Sequence, residues 1–132
     1  MSIRHLDSLF DPASVAVIGA SPRPASVGAT VWRNLRSSTF SGPVLAVNLK
    51  HRQLDGETVH ARVADLPVVP ELAVICTPPA TVPGLIEELG AAGTHAAIVV
   101  TAGLTAVQKQ AMLDAARPHL LRILGPNCIG LL

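Results

Sequence analysis

Aromatic residues are almost missing from this 132-residue chain: Phe10, Trp32 and Phe40 are the whole set. A core cannot then rest on rings and must be built from Val, Ile, Leu and Ala, which suits parallel strands buried on both faces under helices. Cysteine is scarce as well. Cys76 and Cys128 make no disulfide framework, and their spacing matches no metal signature. Charge is sparse and balanced, with a formal net value of +1, which excludes a general basic field for nucleic acid or a membrane surface. Although 49% of the residues are hydrophobic, no apolar run approaches the ~18 residues needed to cross a bilayer. The first residues carry Asp7 and Asp11 where a signal peptide would need an apolar stretch. A reduced, cytoplasmic protein is the simplest expectation.

What the chain does have is a set of short apolar runs at 14–18, 43–47, 72–76, 96–100 and 121–124. Each is strand-sized and near-continuous, as for strands covered on both faces. Helical signals separate most of them. Val27, Val31 and Leu35 recur at four-residue spacing, and Leu85, Ile86 and Leu89 form a second stripe with Glu87 and Glu88 turned outward. Pro83 fits that second helix only in its first turn. Thr105 and Gln108 form a T-x-x-Q capping box that opens a helix through about Arg117. Ile3, Leu6 and Phe10 suggest a short lead-in helix. Residues 48–71 hold only a possible short strand near 58–63 and a turn at 64–67. The alternation predicts one α/β domain over residues 1–132, large enough to bury about two-thirds of its unfolded surface. Its expected architecture is a Rossmann-like, doubly wound, five-stranded parallel sheet in the order 3-2-1-4-5, with helices on both faces. That order puts the ligand crevice over strands one and four.

In such a sheet ligands bind beyond the carboxyl ends of the strands. The loop after the first strand, GASPRPASVG, joins a strand to a helix whose free N–H groups and dipole favour an anion such as a pyrophosphate. Ser21 and Ser26 can donate hydroxyl hydrogen bonds and Arg23 can pair with phosphate, but an ordinary loop with Ser26 as helix cap would read the same. The G-x-G-x-x-G dinucleotide fingerprint is missing, and so is the acid that would hold an NAD ribose after strand two. Lys50, His51 and Arg52 stand there instead. This basic cluster suits a ribose bearing an extra phosphate, as in NADP or coenzyme A, or is a solvated loop. The five histidines are scattered and read as structural or surface residues, with His51 the best placed to touch a phosphate. Cys128 reads as a small packing residue, and there is no P-loop for ATP.

LFDPASVAVIGAS (9–21), VGATVWRNL (27–35), AVNLKH (46–51), ADLP (64–67), LAVICTPP (72–79), TAGL (101–104) and GPNCIG (125–130) occur in an order and spacing that resemble the N-terminal CoA-binding domain of NDP-forming acyl-CoA synthetases, relatives of the succinyl-CoA synthetase alpha subunit. The resemblance covers essentially the whole chain. It implies that Gly19, Ser21, Arg23, Ser26, Val27 and Gly28 hold the CoA phosphates, and that Lys50 lies near the adenosine phosphate. It further implies that Thr77, Pro78, Pro79, Thr101, Ala102 and Gly103 run along the rest of the cofactor, with Asn127 facing the reactive end. Where the family usually reads Asn-Pro-Lys, this chain reads Asn48-Leu49-Lys50, which should loosen the loop presenting Lys50. The implied parent converts an acid, CoA and ATP to acyl-CoA, ADP and phosphate. GPNCxG closes the first domain in those enzymes, so the chain is expected to be a fragment that binds CoA or acyl-CoA without catalysing, beside downstream domains or subunits. The alternatives are a regulatory CoA-binding module of a protein lysine acetyltransferase and an NADP-binding Rossmann domain.

Overall fold

The computed structural model describes residues 11–38 and 40–126. The expected lead-in helix, Asn127 and Cys128 lie outside the described residues. The described residues hold seven strands: β1 (Val15–Ile18), β2 (Val44–Val47), β3 (Gln53–Leu54), β4 (Glu57–His60), β5 (Leu72–Ile75), β6 (Ala96–Val99) and β7 (Arg122–Leu124). Three α-helices connect them: α1 (Val27–Ser37), α2 (Val82–Ala92) and α3 (Ala106–Ala116).

The strands form one sheet in the order β3-β4-β2-β1-β5-β6-β7, parallel throughout except for β3 against β4. The α/β class and the mostly parallel sheet agree with the sequence reading, but the strand count and order do not. The run expected to lie third and outermost, β5, instead pairs with β1 in register, Val15 opposite Leu72. The place beyond β2 is taken by β4, whose parallel register sets Val47 opposite His60. The run expected fourth, β6, is therefore separated from β1 by β5, and the reversal in strand order falls between β1 and β5. The physical reason is that β4 is a half-exposed strand, Glu57-Thr58-Val59-His60, in which only Val59 is buried. It gives no continuous apolar run to read.

Alternation along the strands divides the core between the two faces. Val15, Val17, Leu72 and Val74 pack with Val31 and Trp32 of α1. Ile18, Ala73, Ile75 and Val99 pack with Ile86 and Leu89 of α2 and Met112 and Ala116 of α3. Each helix start has a local cause. Ser26 caps α1 by accepting the Ala29 amide at 3.1 Å. Pro83 occupies the first turn of α2, where its missing N–H costs no helical bond. Thr105 and Gln108 form a complete capping box on α3, each side chain bonding the other's backbone N–H at 3.1 and 2.8 Å. Gly93, at φ 104°, ends α2 in a left-handed turn that suits glycine.

The Val27, Val31, Leu35 stripe of α1 is only partly a core stripe. Val31 is buried and Leu35 packs beside the core, while Val27 is 51% exposed at the mouth of a cleft. Trp32 fills the core in its stead, and its indole N–H donates to the Asp55 carboxylate at 2.9 Å. Asp55 and Gly56 both have positive φ, as a tight hairpin turn between β3 and β4 requires. Arg36 bonds Glu57 at 3.0 Å and stacks over the Trp32 ring at 5.1 Å. The hairpin that adds β4 to the sheet is thus fastened to α1.

Candidate functional site

The chain leaves β1, β2 and β5 at one level. The Gly19 amide donates to the Val47 carbonyl at 2.8 Å, the Cys76 amide to the Ile18 carbonyl at 2.8 Å, and the Val100 amide to the Ile75 carbonyl at 2.9 Å. Beyond this level the loops enclose a cleft of about 1160 Å³, larger than the ~300–1,000 Å³ usual for small-ligand pockets. An extended ligand fits such a volume better than a compact one.

One wall is the loop from β1 into α1. Gly19 sits at φ 98°, and a Cβ there would press on the Cys76 carbonyl oxygen at 2.9 Å. A Cβ on Gly28 would run into the Gly19 carbonyl oxygen. The two glycines therefore let the start of α1 lie directly against the end of β1. Ser21 is buried, and its hydroxyl accepts the Arg23 amide at 3.1 Å, leaving its own proton to donate. Ser26 is committed to the helix cap: its hydroxyl donates to the Arg23 carbonyl at 2.9 Å while accepting from Ala29. Among the described residues the amides of Val27 and Gly28 have no protein acceptor, as is general for the first turn of a helix. They line the cleft together with Arg23.

The second wall follows β2 and β4. Asn48 ties it to the first, donating through its side-chain amide to the Ala20 carbonyl at 2.8 Å while its Oδ1 accepts the Lys50 amide at 2.8 Å. The loop that lacks proline at Leu49 is therefore still fixed at both ends of the Asn48 side chain. Leu49 itself is 83% exposed at the rim. Lys50, His51 and Arg62 all line this wall.

The third wall is the loop from β5 into α2. Thr77 and Thr81 share a hydroxyl hydrogen bond of 2.6 Å, and Thr81 donates onward to the Pro78 carbonyl at 2.6 Å. Thr101 lies behind this loop, its buried hydroxyl donating to the Thr77 carbonyl at 2.7 Å. Cys76 lines the cleft floor, but burial pushes its thiol up to about 12, so it stays protonated and is a poor nucleophile. Glu88 of α2 is the one acid on the lining.

Ten residues singled out in the sequence thus come together on the cleft: Gly19, Ser21, Arg23, Ser26, Val27, Gly28, Lys50, His51, Thr77 and Pro78. Pro79, Thr101, Ala102 and Gly103 do not line it, and Thr101 supports the loop that does. The sequence reading passed over Asn48, whose signal was available as an Asx turn, Asn followed two residues later by the amide it holds. It also passed over Arg62: the possible short strand near 58–63 had no assigned place in the sheet, so its end was not set beside the cleft.

Residues 13–132 match a family model described as CoA binding domain. The acetate–CoA ligase [ADP-forming] I of Archaeoglobus fulgidus is 37% identical over 96% of this chain, and the alpha subunit of acetate–CoA ligase [ADP-forming] I from Pyrococcus furiosus is 33% identical over 95%. A dinucleotide-forming acetyl-coenzyme A synthetase 1 from Ca. Korarchaeum cryptofilum, solved with phosphate and ADP, superposes with a TM-score of 0.87 over 92% of the chain at 35% identity. The chain spans only 19%, 29% and 27% of the length of these three proteins, respectively. No helix among the described residues is long and apolar enough to cross a membrane.

Proposed function

Starting from the fact that this chain belongs to the CoA binding domain family, we propose that it binds coenzyme A in the cleft over β1, β2 and β5, as one cytoplasmic domain of a larger ADP-forming acid–CoA ligase. The observation that carries the reading is the α1 terminus: two unpaired amides, those of Val27 and Gly28, beside Arg23 and the free hydroxyl proton of Ser21. A helix N-terminus of this kind favours a pyrophosphate through its N–H groups and dipole. Lys50 and His51, on the facing wall, are placed for the 3′-phosphate of the cofactor ribose. The pantetheine arm then runs past Thr77 and Pro78 towards Pro79, Ala102 and Gly103, with Thr101 holding the Thr77 loop from behind. Bound CoA supplies the thiol that an acid–CoA ligase acylates. This domain contributes the binding and orientation of that thiol, and turnover belongs to other parts of the parent enzyme.

Calorimetric titration tests this directly. Wild-type protein should bind CoA more tightly than dephospho-CoA, and NAD weakly. A charge-assisted hydrogen bond is worth about 1.5–3 kcal/mol, so Lys50→Ala should weaken CoA binding roughly 10- to 150-fold and barely change dephospho-CoA. NAD binding as tight as CoA would overturn the cofactor assignment.

A further inference from the structure

We propose that Arg62 is a second reader of the ribose 3′-phosphate, acting beside Lys50 from the neighbouring strand end; this rests on the cleft being the CoA site. Parallel pairing sets Val47 opposite His60, and the Asn48 amide donates to the His60 carbonyl at 2.9 Å. The chain leaves β2 and β4 at the same level, so Lys50, three residues on from Val47, and Arg62, two residues on from His60, follow from neighbouring strand ends. Both line the same cleft.

The backbone of Arg62 is fixed while its side chain is not. It is extended, at φ −140° and ψ 155°, and opens a 3-10 turn over Val63–Asp65 in which its carbonyl accepts the Asp65 amide at 3.1 Å. Val63, the next residue, is buried against the helix face of the sheet. The guanidinium, by contrast, has no carboxylate within ion-pair reach among the described residues, whereas Arg36 is held by Glu57 and Arg117 by Asp114. A phosphomonoester carries about −1.5 to −2 at neutral pH, more than one lysine neutralises. A planar guanidinium fork can take two of its oxygens at once, which an ammonium cannot. The pyrophosphate, seated at the first turn of α1, uses the other wall. The two cations on the β2–β4 wall are therefore free to act on the terminal phosphate together.

The test is titration of wild type, Arg62→Ala, Arg62→Lys, Lys50→Ala and the double alanine variant with CoA and with dephospho-CoA, alongside thermal unfolding. Arg62→Ala should lose roughly 10-fold in CoA affinity and less than about 2-fold for dephospho-CoA. Arg62→Lys should recover part of the loss, and the double variant should lose most of the preference for CoA over dephospho-CoA. The melting temperature should not move, because the Arg62 carbonyl bond survives substitution. Equal losses on both ligands would assign Arg62 to the pyrophosphate or to loop support, and no loss on either would make it a solvated side chain; each overturns the proposal. Failure of the wild type to prefer CoA would instead overturn the CoA reading of the cleft.

Discussion

Gly28 should be irreplaceable while Gly84, also helical, should not be, and the contrast isolates what holds the start of α1 in place. In a helix, alanine is favoured over glycine by about 1 kcal/mol. At Gly84 an added Cβ meets nothing within 4 Å, so Gly84→Ala should raise stability by up to about that amount, roughly 4 °C in melting temperature for a domain of this size. At Gly28 the same Cβ enters the Gly19 carbonyl oxygen, with the Gly19 carbonyl carbon at 2.9 Å. The obstacle is backbone, which cannot rotate away as a side chain can. Overpacking typically costs about 1–3 kcal/mol and a direct clash with backbone belongs in the upper part of that range, so net of the helical gain Gly28→Ala should be destabilising by about 1–2 kcal/mol. The strain is relieved only if the first turn of α1 moves off β1, carrying the Val27 amide and the Arg23 loop with it. CoA affinity should then fall at least 10-fold, and dephospho-CoA affinity by the same factor, because the pyrophosphate is common to both. Urea unfolding and titration of the two glycine variants in parallel measure both quantities. Stabilisation of Gly28→Ala by as much as Gly84→Ala, with CoA binding intact, would refute the close contact between α1 and β1.

Asn48→Ala removes two hydrogen bonds, to the Ala20 carbonyl and from the Lys50 amide; at about 1 kcal/mol each, stability should drop by about 2 kcal/mol in urea unfolding, and CoA binding should weaken with part of the preference over dephospho-CoA lost as Lys50 loosens. Cys76, in a Cys128→Ser background, should react with a thiol reagent at pH 8 only slowly until the protein is unfolded, since burial pushes its thiol from 9.0 up to about 12. The raised value also predicts a pH effect on stability: above pH 9 the unfolded thiol releases its proton and the folded one does not, so stability falls by about 1.4 kcal/mol per pH unit from about pH 9 towards 12. Cys76→Ala should remove that component of the slope between pH 9 and 10, and an unchanged slope would exclude the thiol as its source.

The sequence is most legible where one physical signal decides the outcome. The apolar runs at 14–18, 72–76 and 96–100 became β1, β5 and β6 because strands buried on both faces leave no polar residue to confuse the pattern. The T-x-x-Q box at Thr105 became a helix start because capping is local. Legibility fails where pairing is non-local. Strand order depends on which strand reaches the edge of β2 first, and β4 reaches it through the Asp55-Gly56 hairpin with only Val59 buried to mark it. The same blind spot hid Arg62, since a residue that follows β4 cannot be placed on a cleft before the pairing of β4 with β2 is known.

Site residues divide along a related line. Small and basic residues that face the cleft, Gly19, Arg23, Gly28 and Lys50, could be picked by type and loop position. Hydroxyls could not, because a threonine or serine next to a ligand and one that supports the loop behind it look alike in sequence. Ser26 spends its hydroxyl on the cap of α1, and Thr101 spends its own on the Thr77 carbonyl. Asn48 likewise ties the loop after β2 to the loop after β1 through Ala20, and Thr101 ties the loop after β6 to the loop after β5. The cleft is thus shaped before any ligand arrives, and ordering entropy is largely met during folding rather than on binding. It follows that loss of a supporting residue acts on loop position, so Asn48→Ala should lower the affinity for dephospho-CoA as well as for CoA. On the proposed reading, loss of Lys50 or Arg62 removes a charge aimed at the 3′-phosphate only. Affinity for dephospho-CoA therefore separates the residues proposed to read the 3′-phosphate, whose loss should leave it unchanged, from those that hold the readers in place, whose loss should not.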